Sequence, residues 1–201
     1  MIAQLEGVPS EMTIEVTNAC NSRCIMCARG RMKRPISFMD WNLFTRIVDD
    51  ACELGIGGIC LSLFGEPLLD KKLFRRIEYV KSKDIKTSMF SNGQLLDEDK
   101  SRRLLDAGLD MITFSIDGIS QETYGAIRKN LNIETVTKNV RYLGEIASAE
   151  SRTKKIVTCL RMRVNEKECD DVYEFWSKQR GIAAVLVADV RDWAGGGMDE
   201  Q

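Results

Sequence analysis

Cys20, Cys24 and Cys27 stand in the run CNSRCIMC, a CxxxCxxC spacing. Three thiolates in one short loop can hold a metal cluster, but they leave one iron of a four-iron cluster without a protein ligand. An open coordination position is where a cofactor or substrate binds in catalytic metal sites. The 201-residue chain contains no histidine. His-containing zinc sites, Ser-His-Asp and Cys-His triads and any histidine general base are therefore excluded within it. The remaining cysteines, Cys52, Cys60, Cys159 and Cys169, are scattered, and the total of seven is odd. That pattern fits a reducing compartment better than a disulfide framework. Free cysteine is among the most buried residue types, so all four are expected in the core.

A ligand loop needs a rigid frame, and the sequence around this one alternates strand and helix patterns from end to end. Short β-rich runs cover 13–17, 58–64, 86–90, 111–116, 156–164 and 183–189. Between them run apolar stripes at helical spacing: Leu43, Ile47, Ala51 and Leu54; Leu73, Ile77 and Val80; Val136, Val140, Leu143 and Ala147; Val172, Phe175 and Trp176. Asp40, Asp70, Asp97 and Ser120 occupy N-cap positions, Asn165 with Glu168 resembles a capping box, and Gly55 and Gly108 fall just past helix ends. Strands alternating with helices predict βαβ units, a parallel sheet and an α/β fold. Six such strands form either an open doubly wound sheet or an incomplete barrel.

Net charge is -1 and the pI about 5.7, which indicates neither a nucleic-acid nor a membrane partner. No apolar run is long enough to span a bilayer, and the N-terminus shows neither the basic nor the apolar region of a signal peptide, so a cytoplasmic location is expected. The length suits a single domain over 1–201. The chain ends soon after its sixth strand, past a flexible-looking AGGG at 194–197, which predicts that the natural protein continues. Trp193, beside Arg191 in that Gly-rich exit, is expected to cap a barrel end or to pack on the continuation.

In parallel α/β folds, ligands bind beyond the C-terminal ends of the strands. Polar and turn-forming residues collect there. The cysteine loop follows strand one, Gly65-Glu66-Pro67 strand two, and Ser91-Asn92-Gly93 strand three. Ser115 and Asp117 end strand four, Arg161, Arg163 and Asn165 strand five, and Asp189 and Arg191 strand six. By strand alternation Thr13, Glu15 and Thr17 share a face, as do Thr113, Ser115 and Asp117, and Cys159, Arg161 and Arg163. Buried charge is costly unless paired or solvated, so these faces predict a polar cavity. Glu15 fits a pocket or a structural ion pair with the arginines equally well. The basic run 29–34, RGRMKR, reads as a solvated surface, as a counter to cluster charge, or as a greeting for an acidic electron donor.

The run EVTNACNSRCIMC resembles the cluster-binding loop of radical S-adenosylmethionine (radical SAM) enzymes. FGEPLL is similar to the family's Gly-Gly-Glu-Pro segment, with Phe64 in place of the first glycine, and FSNGQLL to its strand-three Thr-Asn-Gly run. FSIDG followed by Tyr124 and Arg128, and the stretch VADVRDWAGG, resemble the branch that carries a C-terminal SPASM extension. The resemblance implies an incomplete (β/α)6-type, TIM-like barrel with parallel strands, and a core domain whose SPASM extension lies beyond this chain. It implies a 4Fe-4S cluster on Cys20, Cys24 and Cys27, and S-adenosylmethionine chelated to the fourth iron. It implies oxygen sensitivity, a peptide or small-molecule substrate, and an electron donor such as flavodoxin or ferredoxin.

Carried residue by residue, the resemblance assigns the methionine amino group to Gly65 and Glu66, and the adenine to the backbone at Met26, where the family often has an aromatic residue. Ser115 takes the ribose or carboxylate region and Arg128 the carboxylate. Asp117 either contacts the ribose or only shapes the strand-end turn. Ser91 and Asn92 belong to the same cofactor rim, with Asn92 more in keeping with a turn. Arg161 is the contact expected from strand five. The competing reading of the thiolates is a non-catalytic iron–sulfur electron-transfer or structural metal-binding module.

Overall fold

The computed structural model describes residues 7–147 and 153–189. In chain order the strands and helices are β1 (Glu11–Thr13), β2 (Arg23–Cys24), α1 (Trp41–Glu53), β3 (Gly58–Cys60), α2 (Leu73–Lys81), β4 (Lys86–Ser91), α3 (Glu98–Asp106), β5 (Met111–Ser115), α4 (Gln121–Ile127), β6 (Arg128–Lys129), α5 (Ile133–Ile146), β7 (Lys154–Arg161), α6 (Cys169–Ser177) and β8 (Ile182–Asp189). Arg191 and Trp193, for which roles were expected, lie outside the described residues.

Six strands form one sheet in the order β1-β3-β4-β5-β7-β8, every neighbouring pair parallel. Strand order follows chain order without a reversal. A doubly wound sheet needs a reversal to place helices on both faces. The sheet is therefore wound one way, as in a barrel, and it is not closed. Residue burial agrees. Ile59, Met89, Ile112, Phe114, Val157 and Cys159 are buried on the face under the helices. On the opposite, concave face Phe90 and Leu186 are half exposed, and Ser88, Ser115 and Thr158 are partly exposed. The short antiparallel pair β2–β6 stands apart, outside the main sheet.

Local chemistry sets most boundaries. Asp40 accepts hydrogen bonds from the amides of Asn42 and Leu43, Asp97 from Lys100, and Ser120 from Thr123. Gly55 and Gly108 close α1 and α3 with φ of 76° and 81°, a left-handed conformation that glycine adopts without strain.

Other expectations are corrected. The α1 stripe is shifted by one residue: Phe44, Val48 and Ala51 are buried, whereas Leu43 and Leu54 are exposed. The aromatic ring, not the leucine, is the larger apolar surface to bury. Cys52 is exposed and Cys60 partly so, leaving only Cys159 and Cys169 in the core. Cys159 faces α6, with its Sγ 3.9 Å from that of Cys169, so its face of β7 is the helix-covered one. The polar face of β7 is therefore the other one, with Thr158, and Arg161 leaves the strand exposed on the helix side. Asn165 and Glu168 form no capping box, because both side chains are drawn to the β5–α4 loop by long-range hydrogen bonds. Asp70 precedes α2, but its carboxylate mainly answers a buried arginine.

That arginine ties α2 to the start of α1. Arg76 Nε donates to Asp70 Oδ2 at 2.7 Å, and the two side chains are 0% and 4% exposed. A second Arg76 N–H donates to the Met39 carbonyl, and the guanidinium lies 4.6 Å from the centre of the Phe44 ring. Removing one member of a buried pair strands the other charge, which costs about 3–5 kcal/mol, whereas replacing both with apolar groups costs far less. Asp70→Ala is thus expected to lower stability to urea by about that amount. Adding Arg76→Met to it should recover part of the loss, and equilibrium urea unfolding of the single and double variants reads both.

Candidate active site

The cysteine loop has little regular structure, so its shape depends on ties to its surroundings. Asn18 and Arg29 close its base. Asn18 Nδ2 donates to the Pro35 carbonyl at 2.9 Å, and Asn18 Oδ1 accepts from the Ser37 amide at 2.7 Å. Arg29 donates to the carbonyls of Asn18 and Cys20 at 2.9 and 3.3 Å. Within the loop, the Ser22 amide donates to Cys20 Sγ at 3.4 Å, and Ser22 Oγ lies 3.1 Å from Cys24 Sγ. Cys20, Cys24, Met26 and Cys27 line a cavity of about 950 Å³, in the range of small-molecule sites.

The β3 exit is pressed against this loop. The Glu66 amide donates to the Ala19 carbonyl at 2.7 Å. A Cβ on Gly65 would overlap the Thr17 carbonyl oxygen and lie 2.7 Å from its carbon and 2.8 Å from Ala19 O. Those atoms are backbone and cannot swing aside, so only glycine fits. Glu66 is 2% exposed. Its carboxylate accepts from Ser91 Oγ at 2.9 Å, the Asn92 amide at 2.8 Å and the Leu68 amide at 3.2 Å. Burial pushes the Glu66 pKa up, while those three donors and the nearby Arg128 pull it back. Asn92 Oδ1 accepts from the Gln94 amide, the expected turn, while its Nδ2 donates to Asn21 Oδ1 at 2.8 Å. Both the Gly-Glu-Pro segment and the Ser-Asn-Gly turn therefore hold the loop.

A third tie comes from β6. The β2–β6 register sets Cys24 opposite Arg128. Arg128 donates toward Cys24 Sγ at 3.6 Å and pairs with Asp117 Oδ2 at 2.6 Å, the two side chains 9% and 0% exposed. Burial opposes the Arg128 cation, but Asp117 and Cys24 more than offset it, so its proton is held more tightly than usual. Asp117 Oδ1 accepts from the Leu160 amide at 2.8 Å, and Asn165 Nδ2 donates to the carbonyls of Asp117 and Leu160 at 2.9 and 2.8 Å. Glu168 accepts from the amides of Ile119 and Ser120 and the hydroxyls of Ser120 and Thr123, which fixes the start of α4. Arg128 Nε and the Tyr124 hydroxyl are buried without a protein partner.

The Cys20 thiol is not poised as a free nucleophile. Burial pushes Cys20 up to about 11, against the Ser22 amide, which lowers it. A metal must therefore displace a proton to bind there. Among the described residues no three Cys, Asp or Glu side chains close on a single-ion position.

Of the expected site residues, the structure brings Cys20, Cys24, Cys27, Met26, Gly65, Glu66, Ser91, Asn92, Asp117 and Arg128 into one connected network. Ser115 lies partly exposed at the end of β5 on the concave face, paired in register with Thr158. Arg161 is on the helix side and outside the network. Glu15 resolves as a structural ion pair, with Arg34 at 2.5 Å rather than with the arginines of β7. Asn18, Asn21, Arg29, Asn165 and Glu168 were not anticipated in these roles. Their partners lie 5 to 71 positions away in the chain, and only the Asn165/Glu168 spacing gave a signal, which pointed to a cap instead. Gly65→Ala is expected to cost about 2–3 kcal/mol, as overpacking against fixed atoms does. It should also lower the iron bound per chain after anaerobic reconstitution, whereas Gly57→Ala, 3.6 Å from its nearest neighbour, should leave iron content unchanged.

Comparison with known proteins places this geometry. The Radical SAM superfamily model matches residues 14–175. A probable GTP 3',8-cyclase of Methanocaldococcus jannaschii is 33% identical over 177 residues, covering 87% of this chain and 56% of the relative. A tungsten-containing aldehyde ferredoxin oxidoreductase cofactor-modifying protein of Pyrococcus furiosus is 29% identical over 145 residues, covering 67% of this chain and 39% of the relative. The chain thus spans about half the length of the curated relatives it matches. Streptococcus suis SuiB bound to S-adenosylmethionine superposes with a TM-score of 0.78 at 17% identity, over 93% of this chain and 42% of that one, a likeness of fold. The chain belongs to the radical SAM superfamily, whose enzymes work with a 4Fe-4S cluster and S-adenosylmethionine.

Proposed function

We propose that this chain is the catalytic core of an enzyme that cleaves S-adenosylmethionine reductively and uses the resulting 5′-deoxyadenosyl radical to remove hydrogen from a peptide or small molecule. The observation that carries the reading is that three thiols line one cavity and a buried arginine N–H points at one of them, Cys24. The donor set suits an iron–sulfur cluster: it is all sulfur, and the cavity wall around it carries Arg23, Arg29, Arg31 and Arg34 but no carboxylate. Cys20, Cys24 and Cys27 would hold the cluster, which supplies the single electron that breaks the sulfonium C–S bond.

The protein's part is binding and orientation. The backbone at Gly65 and Glu66 lies beside the loop and is available to the methionine amino group. The Glu66 carboxylate, already engaged by Ser91, Asn92 and Leu68, acts by holding that backbone in place. Arg128 offers a permanent cation to the methionine carboxylate, and its orphaned Nε and the Tyr124 hydroxyl are donors without a protein acceptor. Asp117 orients Arg128 rather than touching the ribose. Ser115, on the concave face, would meet the ribose, and Met26, in the cavity wall, the adenine. Substrate would lie against the concave face, near Phe90 and Thr158.

The FSIDG, Tyr124 and Arg128 set supports a place in the SPASM-bearing branch. The relatives named GTP 3',8-cyclase support a small-molecule substrate, and SuiB bound to the precursor peptide SuiA supports a peptide. No helix among the described residues is long and apolar enough to cross a membrane. Anaerobically reconstituted protein, given S-adenosylmethionine and a chemical reductant, should release 5′-deoxyadenosine and methionine. Cys24→Ala should abolish both the cluster absorbance and the 5′-deoxyadenosine. Full iron loading without any 5′-deoxyadenosine would reject the reading.

A further inference from the structure

The turn after β7 reaches across to the loop between β5 and α4 and grips it with a carboxylate. Glu168 accepts from the Ile119 amide at 2.9 Å, the Ser120 amide at 3.2 Å, Ser120 Oγ at 2.5 Å and Thr123 Oγ1 at 2.6 Å. Burial pushes its pKa up, but those four donors outweigh burial and keep the group ionised. No cation among the described residues pairs with it. Its neighbours Glu166 and Lys167 are exposed, so the turn as such does not call for an inward charge. The contact is close: a Cβ on Gly118 would lie 3.1 Å from Glu168 Oε2 and 3.1 Å from the Tyr124 amide nitrogen.

The helix that receives this carboxylate is weak by itself. α4 has seven residues, QETYGAI, with Gly125 in its interior and β-branched Thr123 and Ile127. A helix that short is marginal without outside support. Ser120 caps it, but its third position, where a capping box carries Glu or Gln, is Thr123. In a capping box that acid accepts from the amide of the cap residue. Glu168 makes this bond to the Ser120 amide from 48 positions away. A glutamate at 123 would cap α4 locally and leave it independent of β7. The remote one ties the helix to the strand whose Thr158 stands in register with Ser115 on the concave face.

The cargo of α4 explains the tie. Tyr124, 0% exposed, lies in the helix, and Arg128 follows it directly. Their Oη and Nε atoms are buried without a protein acceptor. Asp117 holds the guanidinium from one side, and the course of α4 sets where both donors point. We propose that Glu168 is a positioning residue for S-adenosylmethionine: by fixing the start of α4 it aims the Tyr124 hydroxyl and the Arg128 guanidinium at the methionine carboxylate. The assignment rests on the proposed function, and its test separates the two.

The test compares two ligands by calorimetry on anaerobically reconstituted protein: S-adenosylmethionine, and its decarboxylated form, which lacks the group that the two donors would meet. Glu168→Ala should bind S-adenosylmethionine about tenfold more weakly, as loss of an orienting outer partner does. Its affinity for the decarboxylated form and its iron per chain should be unchanged. Glu168→Gln can still accept from both amides while the two hydroxyls turn to accept from its NH2 group, so it should bind S-adenosylmethionine within about threefold of the unsubstituted protein. Should Glu168→Ala fail to fold, Thr123→Val, close in shape and short of one donor, should show the same selectivity at about threefold. Equal weakening for both ligands would make Glu168 a general structural support and overturn the proposal. Unchanged S-adenosylmethionine binding in Glu168→Ala, or a Gln variant as weak as the Ala variant, would overturn it as well. If the unsubstituted protein itself bound no S-adenosylmethionine, the proposed function would fall and this assignment with it; binding without the selective loss rejects the assignment alone.

Discussion

The contact on which the site depends is the backbone-on-backbone approach of Gly65 to Thr17 and Ala19. The cysteine loop has few hydrogen bonds of its own, and a loop so built would sample many arrangements of its thiols. Pressing the β3 exit against its first residues removes that freedom. The approach is possible only without a Cβ. Once it is made, Glu66 sits under the loop, and its buried carboxylate gathers Ser91 and the Asn92 amide. Asn92 in turn reaches Asn21. Three strand ends and the ligand loop thus become one hydrogen-bonded body.

Charge is distributed to serve the same end. Two buried arginines have a carboxylate within hydrogen-bond reach: Arg76 has Asp70, and Arg128 has Asp117. The first pair is remote from the cysteines and joins helices. The second is built into the site, where Asp117 is held by Leu160 and Asn165, and Arg128 leans on Cys24. A guanidinium held against an anion is a fixed charge rather than a titrating one. With no histidine in the chain, the protein has few groups that switch charge near neutral pH. Its contribution to catalysis is then geometry and a steady field, and the hard chemistry falls to the cofactors.

The open winding of the sheet explains why the concave face remains available. Helices cover one side only, so Ile112, Phe114 and Val157 are sealed while Phe90, Thr158 and Leu186 are not. A second cavity, about 660 Å³ between α5 and α6, lies on the covered side and contains no cysteine. The three thiols lining the larger cavity, and the arginine beside Cys24, mark the chemistry.

The sequence by itself determined the ligand set, the absence of histidine chemistry, the parallel α/β class and the positions of most caps, because each depends on residue type at short spacing. CxxxCxxC, Gly65-Glu66-Pro67 and Ser91-Asn92-Gly93 are local signals and were legible. The α1 stripe, the inner face of β7 and the apparent cap at Asn165 and Glu168 were read wrongly, since periodicity tells faces apart but not which face is covered. Only the tertiary structure decided that Glu66 and Asn92 support the loop, that Asp117 belongs to Arg128, and that Arg23 stands against Lys129. Those partners are many residues apart in the chain, and their pairing is set by strand order and register. Nothing in a linear pattern encodes register before the sheet has formed.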